Sequence, residues 1–170
     1  HPEGPAAVEA RQAGAEIILN LSASPYHKGK QYEREKMLSV RAQDSTAVIA
    51  YVNQVGAQDE LVYDGCSVIF DHHGRLMGKA AAFQEDLLIA DLSSERVLSA
   101  RIHDIRQREY KMPPGAGEAV RRVFIPSPPG RVYPPHDKPA RGIGPSYPGE
   151  EAEVYAALVL GVKDYFRKNG

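Results

Sequence analysis

The pattern of apolar and polar residues divides this 170-residue chain into two unlike parts. Up to about residue 110, short apolar runs alternate with charged segments of helical period, which predicts alternating strands and helices. Beyond that point the chain is rich in proline, and most of its 13 prolines fall between Pro113 and Pro148. Proline lacks an amide donor and fixes φ, so this stretch predicts a long extended connection between domains.

The first part predicts an α/β fold in which helices pack on a mixed sheet. Both apolar runs flanking the first charged helix are apolar nearly throughout, which is typical of strands buried on both faces. That helix should turn Met37, Leu38 and Val40 inward. In chain order, the predicted elements are a short helix over 5–13, a strand over 15–21, a helix over 30–43, a strand over 47–53, a polar loop over 54–61, a hairpin over 67–80 with its turn at 71–74, and a final strand over 86–92.

The end of the chain predicts an amphipathic helix over residues 150–169. Its apolar positions share one face at helical spacing: Val154, Leu158, Gly161, Val162 and Tyr165. A single helix cannot bury such a face by itself, so it either begins another domain or packs back on the first. Within the proline-rich connection, residues 123–125 predict a short pairing segment.

Composition excludes several classes of function. The formal net charge of −1 gives no basic field for nucleic acid or an anionic membrane. The apolar runs are too short to span a bilayer, and residues 1–5 have neither the basic start nor the apolar core of a signal peptide. Cys66 is the one cysteine, so an internal disulfide is impossible and a cytoplasmic protein is expected.

The segment Ser22–Lys30, which follows the first strand, has the composition of a substrate-binding edge. Hydroxyl groups and lysines can hold a polar ligand that carries a carboxylate. The residues alone leave a second interpretation open, in which Ser24 caps the turn at Pro25 and Lys30 is a solvated lysine that opens a helix.

Other candidate sites are weaker. Cys66 enters a strand with no evident base nearby, which favours a buried structural thiol over a nucleophile. His72 and His73 occupy a tight turn and lack the partners that zinc requires, and a pair of Ser24 with His27 lacks an orienting group. The short run Gly142–Gly144 does not follow a strand, and the connection's arginines, Arg121, Arg122 and Arg131, fit solvation of the connection.

Several polar and glycine residues fit a shaping role instead. Gly56 and the Asp64-Gly65 pair are expected to fix backbone turns near the substrate-binding edge. Asn53 and the loop Gln58–Glu60 fall in the same region, and we expect them to shape the pocket or the contact between domains.

A series of strings in order along the chain resembles the glutamine-dependent NAD synthetases. The strings are Asn20–Lys30, Tyr51–Gly56, Gln58–Gly65, Phe83–Leu88 and Tyr155–Gly170. The resemblance is weakest across the proline-rich stretch. It implies a nitrilase-type αββα sandwich with a mixed sheet, followed by a Pro-rich linker and one amphipathic helix.

The resemblance also implies a reaction. In that family a Cys-Lys-Glu triad hydrolyses glutamine, and the ammonia passes through a tunnel to amidate adenylated deamido-NAD. The triad and the synthetase nucleotide loop are expected outside this chain, so the chain should hold no catalytic residue and be inactive alone. Ser24 and Lys30 match the positions that bind glutamine.

The implied domain boundaries and partners follow. Residues 1–110 would be the C-terminal part of the glutaminase domain, 111–149 the linker, and 150–170 the first synthetase helix. L-glutamine, deamido-NAD and ATP with Mg²⁺ would be substrates of the full-length enzyme, a homo-oligomer, with no cofactor or metal on this segment. Two alternatives stay open: a free-standing nitrilase-family amidase, and a non-catalytic module that binds glutamine or a partner.

Overall fold

A mixed sheet, a separate hairpin and packed helices make up the computed structural model, which describes residues 13–104, 121, 123–126 and 149–170. The predicted helix over 5–13 and most of the proline-rich connection lie outside this range. The elements are β1 (Ile17–Ser22), α1 (Lys30–Ser45), β2 (Val48–Asn53), β3 (Val55–Gln58), β4 (Leu61–Asp64), β5 (Val68–Phe70), β6 (Leu76–Lys79), α2 (Ser94–His103) and α3 (Glu150–Asn169). The α/β class with a mixed sheet is confirmed.

The main sheet has the strand order β1-β2-β5-β6. β1 and β2 are parallel and in register from Ile17 opposite Val48 to Ser22 opposite Asn53. The remaining neighbours in this sheet are antiparallel, and β5 and β6 form the predicted hairpin. Because β1 and β2 run in the same direction, both end at the same edge, where the loop after β1 begins.

One face of this sheet is covered by α1. Leu38 and Ala42 of the helix pack on a cluster of buried side chains from β2 and β5: Ile49, Tyr51, Val68 and Phe70. These β-branched and aromatic residues suit a pleated surface. Leu38 is therefore on the inner side of α1 as predicted, but that prediction was wrong for Met37 and Val40, which are half exposed because they lie to either side of the packed row.

The opposite face of the sheet is uncovered at β1, so the prediction that this strand is buried on both faces is wrong. Leu19 is 73% exposed and Leu21 82% exposed. They alternate with the half-buried Ile18, which packs against the core on the α1 side. Within the described range β1 pairs only with β2, so its other edge is also open. An apolar run thus indicates a strand that can be buried. The described residues do not form a layer that would bury the second face of β1.

Two further predictions fail between residues 54 and 92. The predicted polar loop is a second hairpin, in which β3 and β4 pair in antiparallel register from Val55 opposite Asp64 to Gln58 opposite Leu61. The predicted strand over 86–92 has no regular structure. Asp86 accepts hydrogen bonds from the amides of Ala81 and Leu87, which turns the chain locally instead of leaving it extended.

Helix α2 was not predicted. Ser93 caps it by accepting a hydrogen bond from the Arg96 amide, and Val97 is its buried contact. Arg101 extends from this helix and donates to the main-chain carbonyls of Thr46 and Gly14, which precede β2 and β1 at the end of the layer where both strands begin. The predicted pairing segment over 123–125 is also wrong, because its side chains are exposed and it is not a strand.

Helix α3 forms as predicted but packs through a different face. It lies against the β3–β4 hairpin, and its buried residues are Glu153, Ala157 and Asp164. The predicted apolar face is largely in solvent: Leu158, Val162 and Tyr165 are each more than half exposed. Small residues and hydrogen bonds explain why this face of α3 packs on the hairpin. A Cβ on Gly161 would lie 3.5 Å from Val62, and Asp164 accepts a 2.8 Å hydrogen bond from the Ala57 amide.

A buried ion pair links α1 to the hairpin. Both terminal nitrogens of Arg34 donate to the Asp64 carboxylate, at 3.3 and 3.0 Å, and both side chains are nearly inaccessible. Asp64 also accepts a 3.1 Å hydrogen bond from the Asn53 side chain. The bidentate geometry satisfies the carboxylate in an interior where an unpaired charge would be costly.

None of the helices in the described part of the chain is long and apolar enough to cross a membrane.

The buried pair gives a first prediction. Asp64→Asn removes the charge that Arg34 faces, and we expect the free energy of unfolding to fall by about 3 kcal/mol, because breaking a buried pair leaves an uncompensated charge. Urea denaturation measures the change. Asp59→Asn, on the exposed turn of the same hairpin, is the matched control and should change stability by less than about 0.5 kcal/mol. A neutral Asp64→Asn would contradict the assigned role.

The open β1 layer gives a second prediction. On its own, the 170-residue chain should self-associate, because an unpaired edge and a row of exposed leucines favour contact between copies. Replacing Leu19 and Leu21 by Lys should shift it towards monomer in size-exclusion chromatography. Leu98→Lys, an exposed leucine on α2 and not on the sheet, is the control and should leave the elution unchanged. A monomeric unsubstituted chain would contradict this expectation.

Candidate functional site

The candidate site is the β1–α1 loop, residues 23–29, at the edge where β1 and β2 end together. The amide of Gln54 donates to the Ser22 carbonyl at 2.9 Å, so the parallel pairing continues up to the start of the loop. The loop has no regular structure of its own and is fixed by contacts from four directions: β2, the β3–β4 hairpin, α1 and α3. Polar groups at the end of a parallel pair are well placed to meet a ligand.

Asn53 at the end of β2 holds Ser24. Its side-chain oxygen accepts a 2.8 Å hydrogen bond from the Ser24 amide, and its side-chain nitrogen donates to the Ser24 carbonyl at 3.4 Å. The Ser24 main chain is thus paired on both sides by one amide group. The Ser24 hydroxyl makes no hydrogen bond to the residues that the structure describes, so it is not used to cap the turn at Pro25.

Lys30 is the first residue of α1, and its ammonium reaches back over the loop. It donates a 2.7 Å hydrogen bond to the Pro25 carbonyl, the residue next to Ser24. Of the two residues predicted to bind glutamine, Lys30 thus has its ammonium beside the residue that follows Ser24. An ammonium has three donors, so one hydrogen bond to Pro25 leaves two for a carboxylate.

Tyr26 fixes the middle of the loop. Its amide donates to the Val62 carbonyl of β4 at 2.7 Å, and its ring packs edge-on against Phe83 with the centroids 5.3 Å apart. Removal from water and, second, the negative charge of Glu153 raise the pKa of Tyr26 to about 12. The hydroxyl therefore stays protonated throughout the physiological range. Sequence reasoning did not identify Tyr26 as a site residue, because its contacts come from segments far apart in the chain.

Gly56 and Gly65 both have a positive φ, but Gly56 lies within strand β3 and not in the turn expected of it. Gly56 has φ of 133° and Gly65 of 68°, conformations that other residues rarely adopt. Gly56 also lies so close to α3 that an added Cβ would be 3.1 Å from the Asp164 carboxylate. Asn53 carries the polar network from the Arg34–Asp64 pair to Ser24.

The competing candidates do not form sites. Cys66 is 2% exposed and belongs to no disulfide, in agreement with a buried structural thiol. His27 Nδ1 lies 3.2 Å from the Lys28 carbonyl, and within the described residues no hydrogen bond joins His27 to Ser24. Arg121 is exposed, whereas Arg122, Arg131 and the run Gly142–Gly144 lie outside the described residues.

The adjacent histidines are the remaining competing candidate. The rings of His72 and His73 are 4.0 Å apart on the β5–β6 turn. Burial and the neighbouring His73 lower the pKa of His72. They line a polar cavity of about 460 Å³ together with His103 of α2. Even so, among residues 13–104, 121, 123–126 and 149–170, no cluster of His, Cys, Asp and Glu side chains could hold a metal ion.

Comparison with known proteins identifies related chains along the whole sequence. The glutamine-dependent NAD(+) synthetase of Aquifex aeolicus is 41% identical over 173 aligned residues, which cover 100% of this chain and 28% of that protein. The enzyme of the same name from Thermotoga maritima is 36% identical, again over 100% of this chain and 28% of its own length. The chain thus spans little more than a quarter of these relatives.

Solved structures of related proteins show the same similarity. The glutamine-dependent NAD+ synthetase of Acinetobacter baumannii has a TM-score of 0.60 and 26% identity, over 95% of this chain and 23% of that chain. A carbon-nitrogen hydrolase of Helicobacter pylori shares the fold at a TM-score of 0.57 and 21% identity, over 72% of this chain and 46% of its own. The resemblance predicted from the sequence strings is confirmed. The family model described as carbon-nitrogen hydrolase matches residues 3–102, more than half of the chain, and the chain therefore belongs to the carbon-nitrogen hydrolase family.

Proposed function

We propose that this chain is part of a glutamine-dependent NAD synthetase. The full-length protein would hydrolyse glutamine to glutamate and ammonia, and the ammonia would amidate adenylated deamido-NAD to give NAD. The chain would contribute the loop that holds glutamine, while the nucleophile and the nucleotide-binding loop would come from other parts of the polypeptide. ATP with Mg²⁺ would act at that second site.

The observation that carries this proposal is the extent of the similarity. The carbon-nitrogen hydrolase match ends at residue 102, but the Aquifex aeolicus relative matches 100% of the chain, including residues 103–170. A free-standing amidase would not require the connection or α3. We therefore prefer the synthetase to the amidase, and we assign residues 1–110 to the glutaminase, 111–149 to a linker and 150–170 to the start of the synthetase domain.

The geometry of the β1–α1 loop supports a role in binding glutamine. Lys30 presents an ammonium that is partly used by Pro25, and an amino-acid carboxylate matches its remaining donors. Ser24 would bond the α-amino or carboxylate group of the same ligand through its hydroxyl. Asn53 fixes the Ser24 main chain in advance, so that less conformational entropy is lost when glutamine binds.

The setting of the full-length protein is part of the same proposal. We expect a homo-oligomer in the cytoplasm, where a single buried cysteine is compatible with a reducing environment.

The proposal predicts a selective defect in glutamine binding. In the full-length protein, Lys30→Met should raise the KM for glutamine about 10- to 100-fold, because a charge-assisted hydrogen bond contributes roughly 1.5–3 kcal/mol. NAD formation from added ammonia should be unchanged, since it bypasses glutamine. Lys36→Met, an exposed lysine on the same helix, is the matched control. Equal loss of glutamine- and ammonia-dependent NAD synthesis would argue against Lys30 as a glutamine ligand.

A second prediction separates Cys66 from the nucleophile. In the full-length protein, Cys66→Ala should leave the glutaminase kcat within about twofold of its original value, because a buried structural thiol takes no part in the chemistry. Steady-state release of glutamate measures this. The bare 170-residue chain should release none. Turnover by the bare chain that disappears in Cys66→Ala would instead make Cys66 a nucleophile and overturn the proposal.

A further inference from the structure

We infer that Glu153, on the first turn of α3, is a positioning residue for the glutamine site, because its carboxylate caps the start of α1 and thereby fixes Lys30. The inference rests on the proposed function, and it assigns a role in glutamine binding to a helix that lies beyond the family match, which ends at residue 102. Glu153 itself need not touch the substrate.

Helix α1 begins without a cap of its own. The N-cap residue is Gly29, with φ of 81°, and it has no side chain to accept a hydrogen bond from the first turn. Glu153 supplies an acceptor from elsewhere: its carboxylate oxygen lies 3.4 Å from the Gly29 amide. A carboxylate at this position also faces the positive end of the helix dipole, which favours it.

Glu153 is held at this place by burial and by its neighbours. Its residue exposure is 7%, unusual for a glutamate in the first turn of a helix whose Glu150 and Glu151 are exposed. It also lies near the buried Tyr26 hydroxyl, whose pKa it helps to raise. The charge thus faces the middle and the end of the β1–α1 loop at once. Lys28 and Glu150 add an exposed ion pair of 2.5 Å at the same junction, which contributes little by comparison.

The helix that carries Glu153 is itself anchored on the hairpin. The Ala57 amide donates to Asp164 at 2.8 Å, and the Lys168 ammonium donates to the Ala57 carbonyl. Both main-chain groups of one β3 residue are therefore paired with α3. A functional side chain borne by an element fixed in this way is placed more accurately than one borne by a loop.

The path from Glu153 to the substrate is short. Gly29 is followed directly by Lys30, whose amide donates to the His27 carbonyl at 3.1 Å and whose ammonium bonds Pro25. A shift of the helix start would carry the ammonium away from Pro25 and Ser24. Small displacements of groups that orient a substrate are sufficient to weaken its productive binding.

The test uses the full-length protein with Glu153→Ala, Glu153→Gln and the control Glu151→Ala, which alters an exposed glutamate of the same turn. Glutamine hydrolysis gives KM and kcat, and NAD formation from added ammonia reports the second site. We expect Glu153→Ala to raise the KM for glutamine about tenfold with kcat nearly unchanged. Glu153→Gln, which keeps an acceptor for the Gly29 amide, should recover part of the loss. Neither the control variant nor the ammonia-dependent rate should change.

The outcomes separate this inference from the proposed function. A glutamine KM within twofold of the original value in Glu153→Ala would overturn the inference and leave the proposed function intact. Parallel loss of kcat, glutamine affinity and the ammonia-dependent rate, with a lower Tm, would reduce Glu153 to a structural residue and also overturn it. If the unsubstituted full-length protein hydrolyses no glutamine, the proposed function fails and the inference fails with it.

Discussion

The buried pair between Arg34 and Asp64 is the interaction on which the rest of this structure depends. It joins the helix that covers the sheet to the hairpin beside it, and the two side chains are almost inaccessible to water. A charge in such a place must be paired and hydrogen-bonded to be tolerated. Asn53 completes the pairing of Asp64 and holds the Ser24 main chain. The buried ion pair and the main chain of the β1–α1 loop are therefore joined by one hydrogen-bond network.

Polar contacts also decide how α3 packs. Apolar burial would have favoured the face with Leu158 and Val162, yet these side chains remain largely in solvent. The buried side combines small residues with Asp164, which pairs a main-chain amide of β3. A short approach between helix and hairpin allows these hydrogen bonds to form. A cavity of about 520 Å³ lies beside the exposed apolar face, with Leu158 and Val162 among its lining residues.

The sequence was sufficient for elements defined by local pattern. The β-branched run of β2, the hairpin around Asp71 and the charged helices α1 and α3 all form close to their predicted bounds. It was insufficient where burial or strand pairing depends on contacts with other segments of the chain. β1 is as apolar as β2 but lies open, and residues 86–92 do not pair because Asp86 turns the chain.

The same distinction holds for the site. Ser24 and Lys30 were identified by resemblance, and their role in binding glutamine stays a prediction; in the structure the Lys30 ammonium bonds the carbonyl of Pro25, the residue after Ser24. Asn53 could be placed near the site but not assigned its bonds to Ser24, and the contact between Glu153 and Gly29 spans 124 positions of the sequence. No local pattern encodes a contact of that separation. The one sequence signal for this contact is Gly29 itself, a helix N-cap residue that has no side chain to accept a hydrogen bond.

The position of Glu153 also bears on where this polypeptide can be divided. A boundary drawn after residue 102, at the end of the family match, would leave the α1 N-terminus without its acceptor. The unit that keeps the β1–α1 loop in shape is thus larger than the segment that the carbon-nitrogen hydrolase model matches. A chimaera joined within the proline-rich connection would combine one protein's loop with another protein's glutamate. Such an exchange would alter how the N-terminus of α1 and the β1–α1 loop are held.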